Sequence, residues 1–491
     1  PNPFSALNHF TFPFNMCFTP FFFGKFLNKI HTQRDVAIKQ VEKDQRKEIK
    51  NQFQKKLKIV LSVSVVVHIG LLLVLKYTDF FMSNVNSFIK MHGFDFAFVI
   101  PKLLIPIGIS FFTLQIVSYL VDVYRKTISA ENNFFKLALF ISFFPQIVEG
   151  PICRYSQTSD QLWSVKQINF YNFTMGAQRF LFGMMKKIVI ADRLNPLVSS
   201  VFERPSEYGG IMVIVGAVAY TIQLYMDFSG TMDAVIGIAQ IFGIEMPENF
   251  KRPFFSKSIS EFWTRWHITL GTWFKDYIFY PVSMSKKMKN LTTNARKKIG
   301  NYYGPLVAGS VALFCVWFSN GLWHGSAWSY IFFGMYHFSL ILMGNLTAPL
   351  SKKLLTKLKI NSDSTFYSVF KMVRTSVLVV VGELFFRADG FRKGLRMFMS
   401  IFTDFRLPSL EDGFLGNFRL SFMDLLILII AVLIIFVISI LNEKNIILRQ
   451  KLKDKNAVLR WGLIYASIIM IVVFGAYGDG YVQLDPIYAN F

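Results

Sequence analysis

The run Gly321-Leu322-Trp323-His324-Gly325 puts a titratable imidazole at the junction of two apolar segments, residues 306–323 and 328–343. Histidine accepts and returns a proton near neutral pH, which is what a general base must do. The flanking glycines let another backbone, or a substrate, approach closely. The plain alternative is a GxxxG packing turn with an incidental histidine. A second imidazole, His267, sits in EFWTRWHITLGTWFKD (261–276). On one continuous helix, Phe262, Trp266, Leu270, Trp273 and Phe274 share a face, and Thr264, His267, Gly271 and Lys275 share another. An aromatic-rich amphipathic helix carrying Arg265 and Lys275 belongs at a membrane interface, or lines a cavity as a re-entrant element. In the simpler version it lies on the surface and His267 faces headgroups.

Carboxylates supply the third group. Asp227 and Asp233 stand in QLYMDFSGTMD (223–233), flanked by apolar segments. Ser229-Gly230 predicts a helix break there, with Ser229 as N-cap. These acids are candidates to bind substrate or orient a histidine, and equally to pair with arginine or cap helix ends. Glu149 lies in PQIVEGPICRY (145–155), where Pro and Gly interrupt an apolar run as in a broken helix lining a cavity. Glu149 and Arg154 read first as a structural ion pair. Pro101, Pro106 and Gly108 make a similar interruption near Gln115 and Asp122. An ionisable group inside lipid costs about 2.5–3.5 kcal/mol on insertion scales, so each of these is a site candidate by position alone.

The elements that must hold these residues are membrane elements. Of 491 residues, 53% are apolar and 17% charged. A soluble domain carries about 25% charged residues. Disordered, collagenous and solvated coiled-coil chains are excluded, and a water-soluble enzyme has nowhere to hide this much apolar surface. The net charge of +23 comes from Lys and Arg set in short blocks between apolar runs. That is the cytoplasmic-loop pattern of a multi-pass protein of the cell membrane, not a nucleic-acid surface. Cys17, Cys153 and Cys315 are far apart, without a CxxC, and read as buried apolar residues. No cleavable signal peptide is expected.

Clear span candidates are residues 59–75, 210–226, 306–323, 328–343, 376–386, 425–441 and 461–477. Less regular stretches are 10–26, 94–123, 134–148, 173–190 and 232–244. Together they predict an all-α chain of roughly ten to twelve membrane elements in one integral domain, residues 1–491. Basic loops fall at residues 34–58, at 286–298, at Lys352, Lys353, Lys357 and Lys359, and at 444–460. Even numbers of spans separate the last three, so they share the cytoplasmic side and residues 320–327 lie away from it. There is no P-loop, no GxGxxG before a helix, no HExxH and no GxSxG.

The stretches PQIVEGPICRY (145–155), YMDFSGTMDAVIGIAQIFGIEMPENFKRPF (225–254), SISEFWTRWHITLGTWFKDYIFYP (258–281), GLWHGSAW (321–328) and YGDGYVQLDPIYANF (477–491) occur in order. Together they resemble the membrane-bound O-acyltransferases, in the branch of alginate O-acetylases and D-alanyl-lipoteichoic acid acyltransferases. The resemblance runs from about residue 57 to the end and leaves residues 1–56 as an N-terminal segment with a basic cytoplasmic loop. It implies tilted and re-entrant helices around a central membrane-embedded tunnel. It implies His324 and His267 as the catalytic pair; the residues themselves add Asp227, Asp233, Trp323, Arg265 and Glu149 as binding or supporting candidates. It also implies no bound cofactor. The cytoplasmic acyl donor would be acetyl-CoA or an acyl carrier protein thioester, and the acceptor an extracytoplasmic polysaccharide or cell-wall polymer. A second, extracytoplasmic acyltransferase is an expected partner, beside membrane lipid. The stretch VSMSKKMKN after Tyr280-Pro281 lacks the glycine-rich turn of alginate-type members and points to another surface polymer. D-alanyl transfer to teichoic acid is the alternative within this chemistry. A proton-coupled transporter built on Asp227, Asp233 and His324 is the alternative outside it.

Overall fold

The computed structural model describes residues 16–164, 167–406, 416, 418–453 and 455–477. The expected motif at 477–491 lies outside the described residues beyond Tyr477, as does the start of the 10–26 stretch. The described residues are helical, with one isolated antiparallel bridge between Phe250 and Trp266. They form two compact units. One holds the described residues up to Phe173 together with Ala239–Pro247, and the other holds Thr174–Ile238 and the described residues from Glu248 on.

The first unit contains α1 (Phe18–Lys39), α2 (Arg46–Met91), α3 (Ile109–Arg125), α4 (Phe134–Ser142) and α5 (Tyr155–Trp163). Side-chain hydrogen bonds help to hold its helices. Thr19 Oγ1 lies 2.9 Å from His68 Nε2, and Asn133 caps α4 by accepting from the Phe135 and Lys136 amides. The interruptions expected at Pro106-Gly108 and at PQIVEGP are present. Gly108 adopts φ 79°, and a Cβ there would meet the Ile147 carbonyl oxygen at 1.8 Å. Only glycine lets these two loops close on each other.

The second unit contains α6 (Phe170–Met184, from Thr174 on), a π-helical turn Met185–Ala191, α7 (Asp192–Glu203) and α8 (Pro205–Ile241, up to Ile238). The short α9 (Ile259–Arg265) and α10 (Ile268–Phe274) follow, then a second π turn, Lys275–Phe279, and α11 (Tyr280–Ser283). After these come α12 (Lys286–His324), α13 (Trp328–Lys357), α14 (Thr365–Arg387) and α15 (Phe391–Thr403). The last are α16 (Phe422–Glu443), α17 (Leu448–Lys453) and α18 (Ala457–Phe474). Among the described residues, six helices are long and apolar enough to cross a membrane: α2, α8, α12, α13, α16 and α18. The stretch 376–386 lies in α14, which is not among those six.

Three expectations are corrected. The break at Ser229-Gly230 does not occur, because α8 runs through it. Gly230 serves close approach instead. A Cβ there would stand 2.7 Å from the Gly183 carbonyl oxygen, and one at Gly237 would stand 2.7 Å from that of Gly176. Glycines seven apart on both helices let α6 and α8 touch backbone to backbone. For the same reason residues 232–244 are no separate element, and their helical part is the end of α8. Finally, the basic stretch 286–298 is helical rather than a loop. Ser285 Oγ accepts from the Met288 amide, and Lys, Arg, Met and Leu sustain the turns. The helix then kinks at Gly300, φ 83° and ψ 176°, before entering its apolar half.

Candidate active site

The Gly321–Gly325 junction is built by α12 and α13. Gly321 and Gly334 lie where the two helices cross: a Cβ on Gly334 would meet the Trp317 carbonyl oxygen at 2.3 Å, and one on Gly321 the Tyr330 carbonyl oxygen at 2.6 Å. Gly325 is packed against the Tyr330 ring, 2.3 Å from a would-be Cβ. So the packing role of these glycines is real. It also places an imidazole, because α12 ends on His324 itself.

His324 is 6% exposed and ringed by aromatic edges. Its centroid lies 5.0 Å from that of Trp323, 5.2 Å from Phe386 on α14 and 6.0 Å from Phe333 on α13. Two further imidazoles stand beside it. His267, 3% exposed, has its ring 5.6 Å from Trp323, and His337 on α13 is fully buried with its ring 4.6 Å from Phe333. His267 shares the Trp323 ring with His324, and His337 shares the Phe333 ring with it. Three of the chain's seven histidines thus gather in one aromatic pocket.

The continuous amphipathic helix expected over 261–276 is not formed, and the reason lies earlier in the chain. The Lys251 amide donates to the Arg265 carbonyl at 2.8 Å, and the Ile268 amide to the Asn249 carbonyl at 3.0 Å. This short antiparallel contact pulls Trp266 into extended backbone and His267 into the left-handed region, φ 47°. A non-glycine residue there costs about 1–2 kcal/mol. Asn249, itself buried, offsets it: its Oδ1 accepts from the Thr269 amide at 3.1 Å and the Thr269 hydroxyl at 2.9 Å. An amide nitrogen only donates, so that Asn249 atom is the oxygen. The same oxygen lies 3.3 Å from His267 Nδ1. A neutral His267 therefore donates from Nδ1 and keeps its lone pair on Nε2.

The other expected residues have separate settings. Asp233 lies between Lys186 Nζ at 2.6 Å and Arg179 at 2.9 Å, while Asp227, fully buried, has Lys187 Nζ at 3.1 Å. The π turn puts consecutive lysines against the carboxylates of α8, with Lys187 also bonded to Asp192 at 2.6 Å. This is the ion-pairing alternative that the sequence left open. Arg265 bonds Glu261 at 2.8 Å and reaches Glu443 at the end of α16 at 3.1 Å. Trp323 is the wall between His267 and His324. Glu149 is buried in the first unit, in the loop between α4 and α5. Sequence reasoning missed His337, Asn249 and Phe386. His337 sits in an unbroken apolar run, and only its i+4 spacing from Phe333 hinted at a shared face.

A family model described as MBOAT, the membrane-bound O-acyltransferase family, matches residues 10–295. The chain belongs to this family. The match includes His267 and ends ahead of His324; it also takes in most of residues 1–56, which the motifs alone left outside the resemblance. Among relatives of this membrane-bound O-acyltransferase, the probable alginate O-acetylase of Azotobacter vinelandii is 32% identical over 374 residues, 76% of this chain and 69% of that protein. The peptidoglycan O-acetyltransferase of Helicobacter pylori is 32% identical over 303 residues, 56% of this chain and 53% of that protein. The teichoic acid D-alanyltransferase of Bacillus subtilis is 30% identical over 255 residues, 50% of this chain and 60% of that protein. The aromatic pocket and its histidines are therefore the candidate active site of a multi-pass membrane acyltransferase.

Proposed function

We propose that this chain moves an acyl group, acetyl in the first instance, from a cytoplasmic thioester to hydroxyls of an extracytoplasmic polysaccharide or cell-wall polymer, directly or through a partner transferase. One observation carries the reading: in a chain of this family, a buried imidazole ends a helix inside an aromatic pocket, with a second imidazole of defined tautomer beside it. The acceptor O–H gives its proton to His324 as its oxygen attacks the thioester carbonyl carbon. The C–S bond then breaks, and the departing thiolate takes that proton back from His324. His267 Nε2 holds or orients a reacting group from the neighbouring wall. The aromatic lining excludes water, which would otherwise hydrolyse the donor. Asp227 and Asp233 support the site by fixing α8 against the π turn. Arg265 supports it by tying α9 to the end of α16. D-alanyl transfer from a carrier-protein thioester uses the same steps, and the Bacillus subtilis relative favours keeping it as the second reading.

The direction of transfer rests on the basic helix 286–299 facing the cytoplasm. Cysteine placed at Lys287 or Lys297 is expected to resist an impermeant thiol reagent applied to intact cells and to react once the membrane is opened. Ready labelling from outside would reverse the topology and the donor side with it.

A further inference from the structure

We infer that His337 is a positioning residue for acyl transfer: locked as its neutral Nε2–H tautomer, it anchors Trp263 and so fixes the corner that presents His267 beside His324. The inference rests on the reading of the His324–His267 pocket as the reacting centre. Trp263 Nε1–H donates to His337 Nδ1 at 3.3 Å. An indole nitrogen only donates, so Nδ1 must carry a lone pair and the proton sits on Nε2. Imidazolium has a donor at both nitrogens, so a protonated His337 would lose this bond. The ring is fully buried and lies edge-on to Trp263 at 4.8 Å, Phe333 at 4.6 Å and Tyr336 at 5.2 Å. Its Nε2 faces Gly382 of α14, where a Cβ would come within 2.8 Å, so glycine makes the space the ring occupies.

Two links run from this ring to the reacting imidazoles. Trp263 stands four residues before His267, near the end of a seven-residue helix whose next residues turn into the His267 corner. A helix that short has little stability of its own, so its tertiary anchors set its place. Phe333 is the other link, one turn before His337 on α13, with the His324 ring on its far side at 6.0 Å. His337 touches the neighbours of both catalytic candidates and has no proton to exchange at its bonded nitrogen.

The test uses full-length protein in detergent, labelled with ¹⁵N-histidine. Signals of His337, identified by their loss in H337N, are expected to show bare Nδ1 and protonated Nε2 unchanged from about pH 5 to about pH 8. The His267 signals should move in W263F and in H337Q, and stay put in H337N. Asn puts an acceptor oxygen where Nδ1 was, whereas Gln puts its amide nearer Nε2. Turnover, with acetyl-CoA and a D-alanyl carrier-protein thioester offered in turn, should fall about 10- to 100-fold in kcat for W263F and H337Q with KM unchanged, and recover in H337N. A titrating or Nδ1-protonated His337 would overturn the inference. So would His267 signals indifferent to W263F, or a folded H337N as inactive as H324Q. H324Q assayed alongside separates the two ideas, since its near-normal turnover would defeat the general-base reading whatever the His337 variants do.

Discussion

His324→Gln should leave the protein inserted and monodisperse while acyl transfer falls by about 10²–10⁴-fold, the usual contribution of a positioned general base. That corresponds to roughly 3–5 kcal/mol of lost transition-state stabilisation. Gln retains a polar group able to donate and accept hydrogen bonds, but an amide does not take a proton at neutral pH. It therefore separates proton transfer from packing, which His324→Ala cannot do. The packing alternative predicts the opposite pattern. If Gly321–Gly325 served only to join α12 and α13, Gln would shift stability and spare the turnover of each folded molecule. Monodispersity and acyl transfer measured on the same preparation decide between these outcomes. A folded Gln variant with near-normal turnover would end the base assignment.

Gly334→Leu should have the largest effect on the fold. The first added atom would already lie 2.3 Å from the Trp317 carbonyl oxygen, and that contact is backbone, which no rotamer change relieves. Overpacking a well-filled contact costs about 1–3 kcal/mol and occasionally more. With backbone on the opposing side, the upper end or beyond is expected, seen as a large fall in thermal midpoint or as aggregation on extraction. Gly344→Leu is the matched control: it lies on the same helix, α13, and nothing stands within 4 Å of a Cβ there. Equal behaviour of the two variants would mean that the α12–α13 crossing does not hold the site together.

The junction itself was legible in the sequence because two apolar runs flank it and its glycines mark both a turn and a close approach. The His267 corner was not. Its helical periodicity is sound over 261–276, yet a short antiparallel contact with residues 249–251 interrupts it, and a hydrogen bond from 18 residues away leaves no local signal. Ser229-Gly230 misled for a related reason. Glycine in an apolar stretch marks a break or a close helix contact alike, and the Gly183 backbone that decides the matter lies elsewhere in the chain. The basic stretch 286–298 read as a loop by charge, although its residues are good helix formers behind a serine cap. His337 was invisible because its partner Trp263 is 74 positions away and the residues around it are uniformly apolar. The six long helices were the easiest to find, since length and hydropathy alone announce them.

On the proposed function, this pocket joins a thioester donor to a hydroxyl acceptor. Purified protein reconstituted in vesicles tests it most directly, with acetyl-CoA or a D-alanyl carrier-protein thioester on the face of the basic helix and a soluble polysaccharide or teichoic acid on the other. Thiol release should equal the gain of base-labile ester on the polymer, should require both substrates, and should vanish in H324Q. If ester forms on the polymer equally well in H324Q, or forms without matching thiol release, the account is contradicted.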